Sequence, residues 1–231
     1  MQPPHNRNHN RKFTKSGELL PFAGNTILCH LPRQGPNSGP FNVLLDFYRN
    51  ARSTAFGRKT AFLPPSSYHV TILDGVCDVH RSTEKWPQGI KSDLAFDECT
   101  AAIADRIKAA SLPAAFEVRM SVAGRIDAEL GNTFRMPLVP PNELHAKQIE
   151  ELRLALASAM GIPVKKPYDF HITLGYLTQR LTDEEQKEAI QFLSTIRESM
   201  AALTEPMPLG FPEFCVFKDM FAFDRQFFIG D

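Results

Sequence analysis

Along the chain, short apolar runs with a two-residue period alternate with longer stretches in which apolar positions recur every three to four residues. NTILCHL (25–31) reads as a strand, and 42–56 as a helix with Leu44, Phe47, Tyr48, Ala51 and Ala55 on one face. SYHVTIL (67–73) is the next strand. A long polar segment, 78–93, leads to a helix near 97–110 that starts at Asp97, and AFEVRMSV (115–122) is a further strand. The pattern then begins again, with a strand at NTFRMPLV (132–139) and a helix from Asn142 to Met160, stopped by Gly161 with Pro163 just beyond. DFHITLGYL (169–177) is a strand. The following helix opens with a capping box, Thr182 to Glu185, and is expected to bury Ala189, Leu193, Ile196, Met200 and Leu203. Two Phe-rich runs, FCVF and MFAF, predict a closing hairpin around Lys218 and Asp219.

The restart is a duplication visible in the letters. GNTILCHLP at 24–32 matches GNTFRMPLVP at 131–140, and each is followed by a helix and then by a strand containing His-x-Thr. A repeat of roughly a hundred residues is too long for a solenoid, so two related lobes facing each other are expected. The lobe-forming repeats are placed at about 22–125 and 130–231, within one domain spanning 21–231. Residues 1–20 are expected to be a disordered tail, because MQPPHNRNHNRK cannot pack a core.

Strand parity sorts the letters. His69 and Thr71 point one way and Tyr68, Val70 and Ile72 the other; His171 and Thr173 likewise oppose Phe170, Ile172 and Leu174. Each strand then has one face for a core and one that displays an imidazole and a hydroxyl. If the lobes face each other across a pseudo-twofold axis, the two displayed pairs converge. Two imidazoles suit acid–base work near neutral pH, and two hydroxyls suit donation to phosphate oxygens. Such a set cleaves or forms a phosphodiester without a metal.

Parity in the first strand of each half turns His30 and Arg135 towards the same cleft, with Ile27, Cys29, Leu31, Phe134, Met136 and Leu138 as core-facing sets. His145 shares a helical stripe with Ile149, Leu152 and Leu156, so packing is its expected role. The segment 78–93 holds the only tryptophan, Trp86, and reads either as a lid that stacks on a base or as a surface excursion anchored by that ring.

Two HxTx strands on a duplicated β-α-β-α framework resemble the two-histidine (2H) phosphoesterase superfamily, which includes 2′-5′ RNA ligase-like proteins and 2′,3′-cyclic nucleotide phosphodiesterases. The resemblance implies an α+β fold, bilobal, with antiparallel sheets lining a central cleft and helices outside. It also implies metal-independent hydrolysis of 2′,3′-cyclic phosphates or 2′-5′ linkages, with His69, Thr71, His171 and Thr173 as the catalytic residues and no cofactor. Many members carry an arginine shortly after the second motif, where this chain has Tyr176. A tyrosine stacks or donates one hydrogen bond but supplies no fixed charge. Tyr176, Arg135, His30 and Trp86 are therefore the candidate substrate-binding residues.

Composition narrows the substrate and the compartment. The 231 residues carry 26 basic and 26 acidic side chains, and setting aside Arg7, Arg11, Lys12 and Lys15 leaves 22 against 26. A body so balanced lacks the broad positive face that long nucleic acids need, which favours a small nucleotide or a short RNA end. The four cysteines are widely spaced with no CxxC pair, and no apolar run reaches the roughly 18 residues of a membrane span. A cytoplasmic protein with reduced thiols is expected. The alternative from a different class is a non-catalytic nucleotide or RNA-end binding module on the same fold.

Overall fold

The computed structural model describes residues 12–81, 84–124, 126, 130–203 and 206–230. The elements run β1 (Gly24–His30), α1 (Gly39–Ala51), β2 (Thr60–Phe62), β3 (His69–Cys77), α2 (Phe96–Ala109), β4 (Val118–Val122), β5 (Thr133–Val139), α3 (Glu143–Met160), β6 (His171–Leu177), α4 (Asp183–Ala201), β7 (Met207–Gly210), β8 (Glu213–Phe217) and β9 (Asp224–Phe228). The fold is α+β, as the sequence predicts. The two strongest helix signals are realised as written. Asn142 caps α3 by accepting from the His145 amide, and Gly161 ends it at φ 72°. Thr182 and Glu185 form the reciprocal capping box of α4.

All strand pairings are antiparallel, and the order is β7-β4-β5-β6-β3-β1-β8-β9, with the short β2 pairing on β6. The two HxT strands, β3 and β6, meet at the centre through Val70 opposite Ile172. The sequence halves do not close separately. β8 and β9, from the end of the chain, extend the first half through β1, while β2 joins the second half. Helix packing crosses over in the same way, α1 against α4 and α2 against α3. The apolar parity sets fill the layer between sheet and helices: Ile27, Cys29, Val70, Ile72, Phe134, Met136, Ile172 and Leu174 are all fully buried.

Two expectations are corrected. The predicted tail is too long: Phe13 is 4% exposed and packs on Tyr176 at 5.3 Å between ring centroids, and residues 12–20 fold back through a Phe13–Leu19 bridge. Residues 1–11 lie outside the described residues. The closing hairpin exists, but its second strand is Asp224–Phe228 and MFAF is the connection. Lys218, Asp219 and MFAF together form a turn that places Met220 and Phe223 against the central cavity.

Arg153 on α3 is the one buried arginine among the described residues, at 1% exposure. Its guanidinium donates to the carbonyls of Ile72 and Lys165 and stacks 4.0 Å from the Tyr168 ring centroid. It thereby ties the middle of β3 to the segment that leads into β6. Truncation would leave buried carbonyls unsatisfied and a void beneath Tyr168. Arg153→Ala is expected to cost about 3 kcal/mol or more, lowering Tm by roughly 6–12 °C for a domain of this size, as read by thermal denaturation.

Candidate active site

The register at the centre of the sheet builds the site. With Val70 opposite Ile172 in an antiparallel pair, His69 falls across from Thr173 and Thr71 across from His171. The apolar residue between each His and Thr is buried in the core, so all four polar side chains share the other face. They line one cavity of about 240 Å³. The two imidazoles occupy one diagonal of the four-residue square and the hydroxyls the other.

Both imidazoles are oriented in the same way. His69 Nδ1 lies 2.7 Å from the Ser67 carbonyl, and His171 Nδ1 lies 2.7 Å from the Asp169 carbonyl. A carbonyl only accepts, so Nδ1 carries the hydrogen in each case and Nε2 is the nitrogen left for chemistry.

A bulge follows each motif. On β3, Leu28 pairs with Thr71 and Ile27 with Leu73, leaving Ile72 unopposed. On β6, Arg135 pairs with Thr173 and Phe134 with Gly175, leaving Leu174 unopposed. The extra residue resets the alternation, so the position five after each histidine returns to the cleft face. Those positions are Asp74, opposite Thr26, and Tyr176, opposite Thr133, and both line the cavity. Tyr176 was expected there. Asp74 was not, although placing YHVTILD over FHITLGY aligns the two.

The cavity wall also holds Arg135, as predicted, and Asp169, which shares the parity of His171 and Thr173 in the strand read at 169–177; Lys12, Lys165 and Tyr168 join them from outside the HxT strands. Lys12 donates to the Tyr176 hydroxyl at 3.1 Å and sits 4.9 Å from its ring centroid. Where the resemblance expects an arginine, a tyrosine and a lysine from the N-terminal fold-back stand together. Tyr168 lines the cavity with Asp74 and Thr71, and burial followed by the Asp74 charge pushes its phenol pKa up.

One predicted binding residue is corrected, and the two readings of Trp86 are separated. His30 faces His69 across β1 and β3, with rings 6.3 Å apart, but its Nδ1 is held 3.0 Å from Glu213 and it does not line the cavity. Trp86 is 8% exposed, donates from Nε1 to the Ile90 carbonyl and lies under Arg81, so it anchors the 78–93 segment from within. His145 is structural as expected, its Nε2 accepting from the Arg119 amide. His30, Glu213 and Cys215 bring three possible metal-ligand atoms within 4.8 Å of one another, beside the cleft rather than in it. The Arg225 guanidinium 3.7 Å from the same Glu213 oxygen opposes a cation there.

Burial governs the histidine charges. It lowers the His69 pKa to about 4, opposed by the Ser67 carbonyl and helped by His30, His171 and Lys12. His171 is lowered as well, by burial and then Arg135, with the Asp169 carbonyl, Asp74 and Asp169 acting against. Both imidazoles are therefore neutral at pH 7 in the ligand-free cleft. Part of the His69 burial comes from Phe223, whose ring centroid is 4.3 Å away. Phe223→Ala is expected to raise the His69 pKa by about one unit, read from its ring-proton shifts in an NMR pH titration. Because both folded-state values lie below the ordinary 6.5, stability is expected to fall as pH drops from 6.5 towards 4, with no loss from these groups above 6.5.

The sequence profile of the 2H-phosphodiesterase family, described as a domain of unknown function (DUF1868), matches residues 12–131, just over half of the chain. The profile of the LigT-like phosphoesterases matches residues 139–220. None of the curated proteins matches. The crystal structure of a conserved protein of unknown function from Agrobacterium tumefaciens is 26% identical, with a TM-score of 0.84 over 100% of this chain and 94% of that one. A crystal structure from Thermus thermophilus is a weaker likeness, at 16% identity and TM-score 0.45 over 89% and 97% of the two chains. Among the described residues, no helix is long and apolar enough to cross a membrane. The profile matches, the shared α+β fold and the paired motif strands agree: the chain belongs to the two-histidine phosphoesterase superfamily, and its activity class is that of a phosphoesterase.

Proposed function

We propose that the protein hydrolyses 2′,3′-cyclic phosphates or 2′-5′ linkages at the end of a nucleotide or short RNA, in the cytoplasm and without a metal ion or other cofactor. His69, Thr71, His171 and Thr173 are the catalytic residues. The observation that carries this reading is the Val70–Ile172 register, which sets the two imidazoles on a diagonal of the sheet. Diagonal neighbours in an antiparallel pair stand about 7–8 Å apart at the backbone. A phosphate fits between their Nε2 atoms with one imidazole towards the attacking oxygen and the other towards the leaving oxygen.

The near-symmetry is broken at one pair of positions, which divides the roles. His69 faces His30, held by Glu213, whereas His171 faces Pro137. His69 is also the more deeply depressed of the two imidazoles and is the one that stays neutral. It acts as general base and His171 as general acid. His69 Nε2 takes a proton from water as the water oxygen bonds to phosphorus. The bound substrate anion draws a proton from solvent onto His171 Nε2; the bond from phosphorus to a ribose oxygen breaks, and His171 Nε2 delivers that proton to the leaving oxygen. Proton exchange with solvent then restores both rings. Thr71 and Thr173 donate to the non-bridging oxygens. Arg135, Lys12 and Lys165 supply fixed positive charge around the anion.

Three outcomes test the reading on a 2′,3′-cyclic nucleotide. His171→Ala lowers kcat by about 10²–10⁴-fold, and turnover persists in excess EDTA. The value of kcat/KM reports the free protein's pKa values, both of which lie below 6.5, so its maximum falls on the acid side of 6.5. Full activity of the His171→Ala protein would overturn the assignment.

A further inference from the structure

The cleft does not end at the histidines. Beyond Asp74, Gly75 and Tyr168 it opens into a second chamber of about 430 Å³, which shares Lys12, Phe22, Cys77 and Lys165 with the first. Small-molecule sites typically occupy about 300–1,000 Å³. The first chamber alone is below that range, with room for the reacting phosphate and its ribose, and the two together fall within it.

The second chamber has an apolar shelf and a basic rim. The shelf is Leu73 with Ile162, Pro163 and Val164, facing the Phe22 ring. Lys12, Lys165 and Lys85 bring positive charge, against Asp74 and Glu84. At the floor lies Arg153, 1% exposed, with Nε 3.5 Å from Glu150 and without a hydrogen bond. A planar apolar group beside an anion fits this combination, because the shelf offers stacking area and the lysines, with the buried Arg153 guanidinium behind them, favour a negative charge. Residues 84 and 85 belong to the segment that Trp86 and Arg81 fasten from within. Arg81 reaches the carbonyls of Ser92 and Leu94, so that wall is braced before any ligand arrives.

We infer that this chamber binds the base and the 5′-phosphate of the nucleoside whose 2′,3′ edge is attacked, so that the preferred substrate carries a second phosphate. This rests on the phosphoesterase reading of the first chamber. A second phosphate has two sources, a free 5′-phosphate and the linkage to a preceding nucleotide in an RNA end.

Product-type ligands separate the possibilities, since they bind without turnover. Calorimetry would compare adenosine 2′-phosphate, adenosine 2′,5′-bisphosphate and the dinucleotide ApA bearing a terminal 2′-phosphate. The two ligands with a second phosphate are expected to bind at least tenfold more tightly than the first, and Lys85→Glu to bring that ratio towards one. Preference for the bisphosphate over the dinucleotide would identify a mononucleotide site, and the reverse an RNA end; either supports the second-phosphate site. Equal affinity for all three would overturn the inference while leaving the histidine pair untouched. The expected affinity order in a protein that turns over no cyclic phosphate would instead retain the chamber and remove the hydrolytic reading.

Discussion

The site depends on one contact, Val70 against Ile172. It joins β3 to β6, and thus the two halves of the duplicated chain, at the centre of the sheet. Each of these side chains is fully buried, a burial worth roughly 1.5–3 kcal/mol apiece, and each is the middle letter of a His-x-Thr motif. The middle letter sets the register and the outer letters inherit it. A slip of one residue would turn either polar pair into the core, so the packing that holds the halves together also fixes the site.

A symmetric frame carries an asymmetric surface. The GNT strands, the Nδ1-to-carbonyl bonds and the bulges after threonine repeat in both halves. The residues hung on that frame do not. Asp74 stands where the other half has Tyr176, Leu28 where it has Arg135, and His30 where it has Pro137. The frame delivers two equivalent imidazoles, and these differences make their surroundings unequal. A reaction that takes a proton on one side and returns one on the other needs that inequality.

Much of the cleft's wall comes from outside the motif strands. Lys12 arrives on the N-terminal fold-back, Lys165 and Tyr168 on the segment held by Arg153, and Phe223 on the turn between β8 and β9. These segments wall the cleft and exclude water from His69, which is why burial is the main cause depressing its pKa. The same walls extend the cleft into its second chamber.

From its letters alone the sequence makes legible the strongly capped helices, the duplication and the four-residue constellation, because capping, alternation and repetition are carried by neighbouring residues. The core-facing sets Ile27 and Cys29 or Phe134 and Met136 followed from the same parity. It misread residues 12–20 and the MFAF run, whose order comes from contacts with Tyr176 and His69 far along the chain. It misplaced His30 and left Trp86 open between lid and anchor for the same reason: Glu213, Ile90 and Arg81 decide where those rings go. Asp74 in the cleft was not legible in the letters, and Tyr176 reaches it against the strand's simple parity. A bulge interrupts the alternation that local reasoning extrapolates, and it exists only once a partner strand leaves one residue unopposed.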